Sequence, residues 1–192
     1  IGRDMAMIFQ EPASSLNPCF TVGYQIGETL AQHLGLGRAE RRARTLALLA
    51  AVGIADPERR VDAFPHQLSG GMNQRVMIAM AIACKPKLII ADEPTTALDV
   101  TVQAQVMALL LELRDKLGFA LIFVSHVLAL IADLCDCIVV MYGGQVSNTG
   151  TVVNLLAAPE HHYTLGLLGS AMSLASEQYM PNTWLLAAES PA

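Results

Sequence analysis

Four short, unbroken apolar runs, Met5 to Phe9, Leu88 to Ala91, Ala120 to Val124 and Ile138 to Tyr142, stand between longer stretches patterned as helices. Runs of this kind predict strands of a mostly parallel sheet with helices on its faces, because a strand with one wet face would alternate apolar and polar residues. Hydrophobic residues make up 53% of the 192 and charged residues only 15%, which excludes a disordered chain and fits strands covered on both sides. The length is that of one ordinary domain, enough to bury a core.

Between the first and second runs lie candidate helices near Val22 to Leu34, Ala39 to Val52 and Gly71 to Cys84. They predict a helical subdomain over residues 20–84, inserted into a sheet core formed by 1–19 and 85–150. After Asp99, the apolar residues Val102, Val106, Leu109, Leu110, Leu113 and Leu117 mark one helical face, with Asp99 placed to cap its start and Gly118 to end it. Gly143-Gly144 reads as a tight hairpin turn, and from Thr151 short helices are expected to end at Pro159 and near Ser173, a terminal helical element over 151–172. Phe119 to Ala132 is the most apolar stretch, but a membrane span needs about 20 apolar residues. This one holds Ser125 and His126 and stops at Asp133, so a buried strand followed by a helix is expected.

Net charge is −5 and the pI near 5.4. The clustered arginines are confined to Arg38, Arg41, Arg42 and Arg44, which leaves no broad basic surface for a nucleic-acid backbone. The four cysteines, Cys19, Cys84, Cys135 and Cys137, lack the paired spacing of a zinc site and are expected to be reduced and mostly buried. His33, His66, His161 and His162 have no carboxylate or cysteine at ligand spacing and read as ordinary histidines. The absence of an initiator methionine and of a secretory signal is expected of a fragment of a cytosolic protein.

Two segments carry chemistry. Leu88-Ile89-Ile90-Ala91-Asp92-Glu93 is an apolar strand ending in two carboxylates, and open parallel sheets hold ligands at the carboxyl ends of their strands. Taken alone, Asp92 and Glu93 could equally cap the turn before Pro94-Thr95-Thr96. Leu68-Ser69-Gly70-Gly71-Met72-Asn73-Gln74 places adjacent glycines at a helix start, where bare backbone and free amides admit an anion; alone it would be an ordinary serine cap.

Together they resemble the ATP-binding subunits of ABC transporters. Leu68 to Gln74 is similar to that family's signature motif, Ile8-Phe9-Gln10-Glu11-Pro12 to its glutamine loop, Thr96-Ala97-Leu98-Asp99 to its aspartate loop and Val124-Ser125-His126 to its switch histidine, in the family's order around Asp92-Glu93. Ser14-Ser15-Leu16-Asn17-Pro18, the run Pro94 to Gln103, and Pro159-Glu160-His161-His162-Tyr163-Thr164 look like the peptide and nickel importer class, with peptide cargo the closer match. The resemblance implies an α/β, P-loop NTPase-like ABC ATPase core with an inserted helical subdomain. A partial ATPase domain would fill 1–172, followed by a divergent tail at 173–192.

What the resemblance implies for the residues is specific. Asp92 would hold Mg²⁺ with help from Gln10; Glu93 would deprotonate the attacking water; His126 would stabilise charge on the transferred γ-phosphate. Ser69, Gly70, Gly71, Met72 and Gln74 would close over ATP held by an opposite subunit, with Asp99 at the same seam. Partners would be a second ATP-binding subunit, transmembrane permease subunits and a periplasmic or extracellular substrate-binding protein, with the chain peripheral on the cytoplasmic face of the inner membrane. No nucleic acid is expected, and without a cysteine after Cys137 no iron-sulfur cluster.

The pattern also departs from the family. Gly-x-x-x-x-Gly-Lys-Ser/Thr, which cradles the β- and γ-phosphates, does not occur in these 192 residues. Val127 follows the switch histidine where an acid is usual. These points predict that the phosphate loop and N-terminal strands of the fold are missing, that the isolated chain is inactive, and that an apolar patch of sheet is left uncovered. The alternative is a non-catalytic half-site that lends its signature turn to a partner's ATP. A DNA-repair or chromosome ATPase is disfavoured by the acidic balance.

Overall fold

The protein is described by a computed structural model at residues 2–95, 98–127, 131, 134–159 and 161–175, apart from the side chains of Ala13 and 169–175. Thr96 and Ala97, most of the helix expected before Ala132, and the tail beyond residue 175 lie outside the described residues. The chain divides into two compact units, Ile1–Val124 and Ser125–Ala192, so the 85–150 stretch contributes strands to both.

The first unit runs β1 (Met5–Ile8), α1 (Pro12–Ser15), α2 (Val22–Leu34), α3 (Arg38–Ala51), α4 (Pro57–Arg60), a 3-10 turn (Pro65–Gln67), α5 (Gly70–Ile82), β2 (Leu88–Asp92), α6 (Val100–Leu117) and β3 (Ala120–Val124). The three strands form a parallel sheet in the order β1-β2-β3, with Ile8 beside Ala91 and Ala91 beside Phe123. Parallel pairing needs long crossovers, which the helical region and α6 supply.

Helix boundaries follow from local chemistry. Thr21 Oγ1 accepts from the Tyr24 amide at 3.2 Å, and Ala63 and Val61 carbonyls accept from the Val22 and Gly23 amides, so the first turn of α2 leaves few unpaired donors. Gly35 ends α2 in the left-handed conformation at φ 66°, and Gly118 ends α6 at φ 71°. Helix α5 ties the helical region together: Arg75 Nη1 donates to the Val52 carbonyl at the end of α3 at 2.6 Å, and Asn73 Nδ2 to the Pro65 carbonyl at 3.0 Å.

The sheet is buried on one face, not both. Ala6, Ile8, Ile89 and Ala91 are buried, with α5 packed against β1. On the other face Met7, Ile90 and Ile122 form one cross-strand row of apolar side chains; the first two are half-buried and Ile122 is 50% exposed. The expectation of a buried third strand is therefore corrected, since β3 is exposed or half-buried throughout. An apolar run records affinity for a cover, and the described residues cover only one side.

In the second unit β4 (Cys137–Tyr142) and β5 (Gln145–Thr151) pair antiparallel, followed by α7 (Val152–Ala157) and α8 (His162–Ala175). Gly143 and Gly144 turn the hairpin at φ 57° and 79°, two successive left-handed residues that glycine adopts without strain. Thr151 caps α7 by accepting from the Asn154 amide at 3.3 Å. The cysteines correct a second expectation: all four are free, but only Cys84 is buried, while Cys19 lies in an exposed turn and Cys137 on the outward side of β4. Burial pushes the Cys84 thiol pKa up, against a smaller lowering by Arg3.

Candidate active site

The parallel register of β1 and β2 brings two sequence-distant residues together. Two positions beyond the Ile8–Ala91 pair stand Gln10 and Glu93, and Gln10 Nε2 donates to Glu93 Oε2 at 2.9 Å. Glu93 sits at φ 43°, a conformation that strains a residue with a side chain, and its amide is held by the Val124 carbonyl at 2.9 Å. Such strain costs about 1 kcal/mol or more and is found where a side chain must be aimed. Asp92 ends β2 beside it; both carboxylates are half-buried and Gln10 is exposed.

The glycine turn is built differently. Ser69 caps α5 by accepting from the Met72 amide at 3.3 Å, and Ser69 and Gly70 are exposed. Asp99 caps α6 the same way, its Oδ1 accepting from the Val102 amide at 2.9 Å. Met72 is half-buried, while Gln74 is fully buried and neither atom of its amide finds a protein partner. His126 lies two residues past β3 in the second unit, exposed, next to a turn in which Ser125 Oγ accepts from the Val127 amide at 3.0 Å.

A family model described as ABC transporter matches residues 1–96, half of the sequence. The chain belongs to the ABC transporter family. Among its ABC relatives, the dipeptide transport ATP-binding protein DppD of Haemophilus influenzae is 59% identical over 175 residues, covering 91% of this chain and 53% of the relative. DppD of Escherichia coli is 56% identical over 178 residues, 93% of this chain and 54% of the relative. The oligopeptide transport protein OppD of Bacillus subtilis is 50% identical over 175 residues, 91% and 49% of the two chains. The chain thus spans about half the length of these curated relatives. A solved dimeric post-hydrolysis state of the ATP-binding cassette MJ0796, bound to ADP and Pi, aligns with a TM-score of 0.68 and 29% identity, over 79% of this chain and 64% of that one. The α/β ABC ATPase fold is thereby established for this chain.

With the ABC fold in place, the donor chemistry can be tested against the nucleotide and its metal. The Asp92 carboxylate and the Gln10 amide oxygen, whose amide nitrogen is already engaged by Glu93, are hard oxygen donors of the kind Mg²⁺ accepts. Two protein oxygens suffice for an ion that keeps waters and phosphate oxygens. Among the described residues no cluster of three or more histidines, cysteines and carboxylates offers a competing site. The residues fit the metal-and-water end of such a site; the phosphate cradle has no counterpart in this sequence.

Motif reading did not find Gln25. This buried side chain brackets the loop after the glutamine motif: its Oε1 accepts from the Asn17 amide at 2.9 Å, and its Nε2 donates to the carbonyls of Asn17 and Phe20 at 3.1 Å each. Nor did it find Gln103, whose Nε2 donates to the Thr95 carbonyl at 2.7 Å. A polar residue on a helix facing a loop was the available signal.

Proposed function

We propose that this chain is part of the ATP-hydrolysing machinery of a peptide importer, working at the cytoplasmic face of the inner membrane beside a second ATP-binding subunit, permease subunits and a substrate-binding protein. The names of its relatives support peptide cargo, and no helix among the described residues is long and apolar enough to cross a membrane by itself. What carries the catalytic part is the hydrogen bond from Gln10 to Glu93, which joins residues 83 positions apart at adjacent strand tips.

Bound Mg²⁺·ATP would supply the electrophilic γ-phosphoryl group. Asp92 and the Gln10 oxygen would hold the metal end. The Gln10 amide fixes the Glu93 carboxylate by donating to its Oε2, and that carboxylate would orient a water and take its proton. His126 would donate to charge gathering on the phosphoryl oxygens. Ser69, Gly70 and Gly71 would close over nucleotide held by the second subunit, where exposed backbone at a helix start suits an anion; Met72, Gln74 and Asp99 would support that seam. Glu93→Gln in the assembled transporter should lower ATP turnover by about a hundredfold or more. Near-normal turnover in that variant would remove Glu93 from this role.

A second reading gives weight to the glycine turn alone, whose Ser69 and Gly70 are exposed at the start of α5. On it the chain binds no ATP alone and lends its glycine turn to a complete subunit. Calorimetry with Mg²⁺·ATP, with and without a complete subunit, tests it: binding tightened by a complete partner supports the half-site, while tight binding by the solitary chain contradicts both readings.

A further inference from the structure

Of the two adjacent glycines in the signature turn, Gly71 is crowded from inside the chain, while Gly70 leaves room for a methyl group. A Cβ built on Gly71 would lie 2.8 Å from Val102 Cγ1, closer than real Cβ contacts come, and one on Gly70 would meet Leu98 Cδ2 at 3.6 Å. Leu98 and Val102 flank Asp99, whose carboxylate accepts from the Val102 amide. Their segment is itself fixed: the Leu98 amide donates to the Thr95 carbonyl at 3.1 Å, which also accepts from Gln103 Nε2. Valine in a helix strongly prefers one χ1 rotamer, so Val102 would swing aside for a methyl group at position 71 only at a cost. Either that rotamer or the spacing of α5 and α6 would have to shift.

We infer that Val102 is a positioning residue for the signature turn, acting through Gly71 to make Ser69–Gly71 and the Asp99-capped start of α6 shift as one piece. The glycine at 71 is then required by a neighbour within the chain as well as by any ligand outside it. A displacement at the Asp99-capped start of α6 would reach the glycine turn through the packing of Val102 on Gly71, where a built Cβ would lie 2.8 Å from Val102 Cγ1. The part of this that concerns ATP rests on the function proposed above.

The test is a double-mutant cycle of Gly71→Ala and Val102→Ala, read as urea midpoint on the chain and as kcat and KM for ATP in the assembled transporter. Overpacking of a tight contact predicts that Gly71→Ala lowers the midpoint and reduces kcat by about tenfold or more with little change in KM. Val102→Ala alone should lower kcat by about threefold, and the double variant should recover most of both losses, a coupling that independent sites do not show. Additive midpoints would overturn the contact. A double variant as slow as Gly71→Ala, despite a restored midpoint, would show that position 71 is kept bare for the ligand alone and overturn the positioning role. If the unsubstituted transporter hydrolyses no ATP, the proposed function falls, and the midpoints still decide the packing.

Discussion

At the strand tips, the register that sets Ile8 beside Ala91 brings Gln10 and Glu93 close, and the left-handed backbone at Glu93 (φ 43°) aims its side chain at Gln10. At the glycine turn, Ser69 to Gly71 are held by a local serine cap and by clearance against Leu98 and Val102, with no strand involved. The first arrangement should tolerate changes of side-chain chemistry without loss of fold, because the paired strands just before it, and not these two side chains, hold the backbone in place. The second should be sensitive to volume, because one methyl group too many has nowhere to go.

The largest effect separates the chemistry of the first region from its structure. Glu93→Gln keeps shape and can still accept from Gln10, so the unfolding free energy from urea denaturation should stay within about 0.5 kcal/mol of the unsubstituted protein, while turnover falls by about a hundredfold or more. A large stability loss would mean that the carboxylate itself holds the strained backbone at Glu93. Ile89→Ala should do the reverse. Ile89 is fully buried in the central strand between Ala6 and Leu121, and removing it should cost about 2–5 kcal/mol, measurable by urea denaturation. Ser69→Ala is the matching probe of the glycine turn, losing the cap on α5 at about 1 kcal/mol.

The two regions were also unequally legible in the sequence. Helix α2 is bounded as expected, because Thr21 and Gly35 write its start and stop locally, and Asp99 and Gly118 do the same for α6. The Gln10–Glu93 pair could be anticipated only through the family pattern, since nothing in a single sequence states which strands are neighbours or in what register. Exposure was misjudged at β3 because Leu121 to Val124 reads the same whether or not a layer lies on it. The packing of Val102 on Gly71 left no local sign at all: both residues have ordinary helical reasons to be where they are, and their contact exists only once α5 and α6 are side by side. Gln74 shows the same limit, a polar residue placed by the motif at a ligand and by the fold in full burial.

The smallest expected effect bears on Asp99, which serves two purposes that can be separated. As an N-cap it needs only a side-chain oxygen to accept from the Val102 amide, and asparagine caps about as well as aspartate. Asp99→Asn forgoes only the attraction of a negative charge to the helix start, about 0.3–1 kcal/mol at an exposed position and less in salt. Asp99→Ala loses the cap as well and should cost about 1 kcal/mol. If Asp99 acts only as a cap, the asparagine variant should retain nearly full ATP turnover and the alanine variant should lose turnover in step with its midpoint. If the carboxylate is used at a seam with a second subunit, both variants should lose turnover alike whatever their midpoints. The first pattern would leave Val102, seated by that cap on Gly71, as the means by which this end of α6 influences the signature turn.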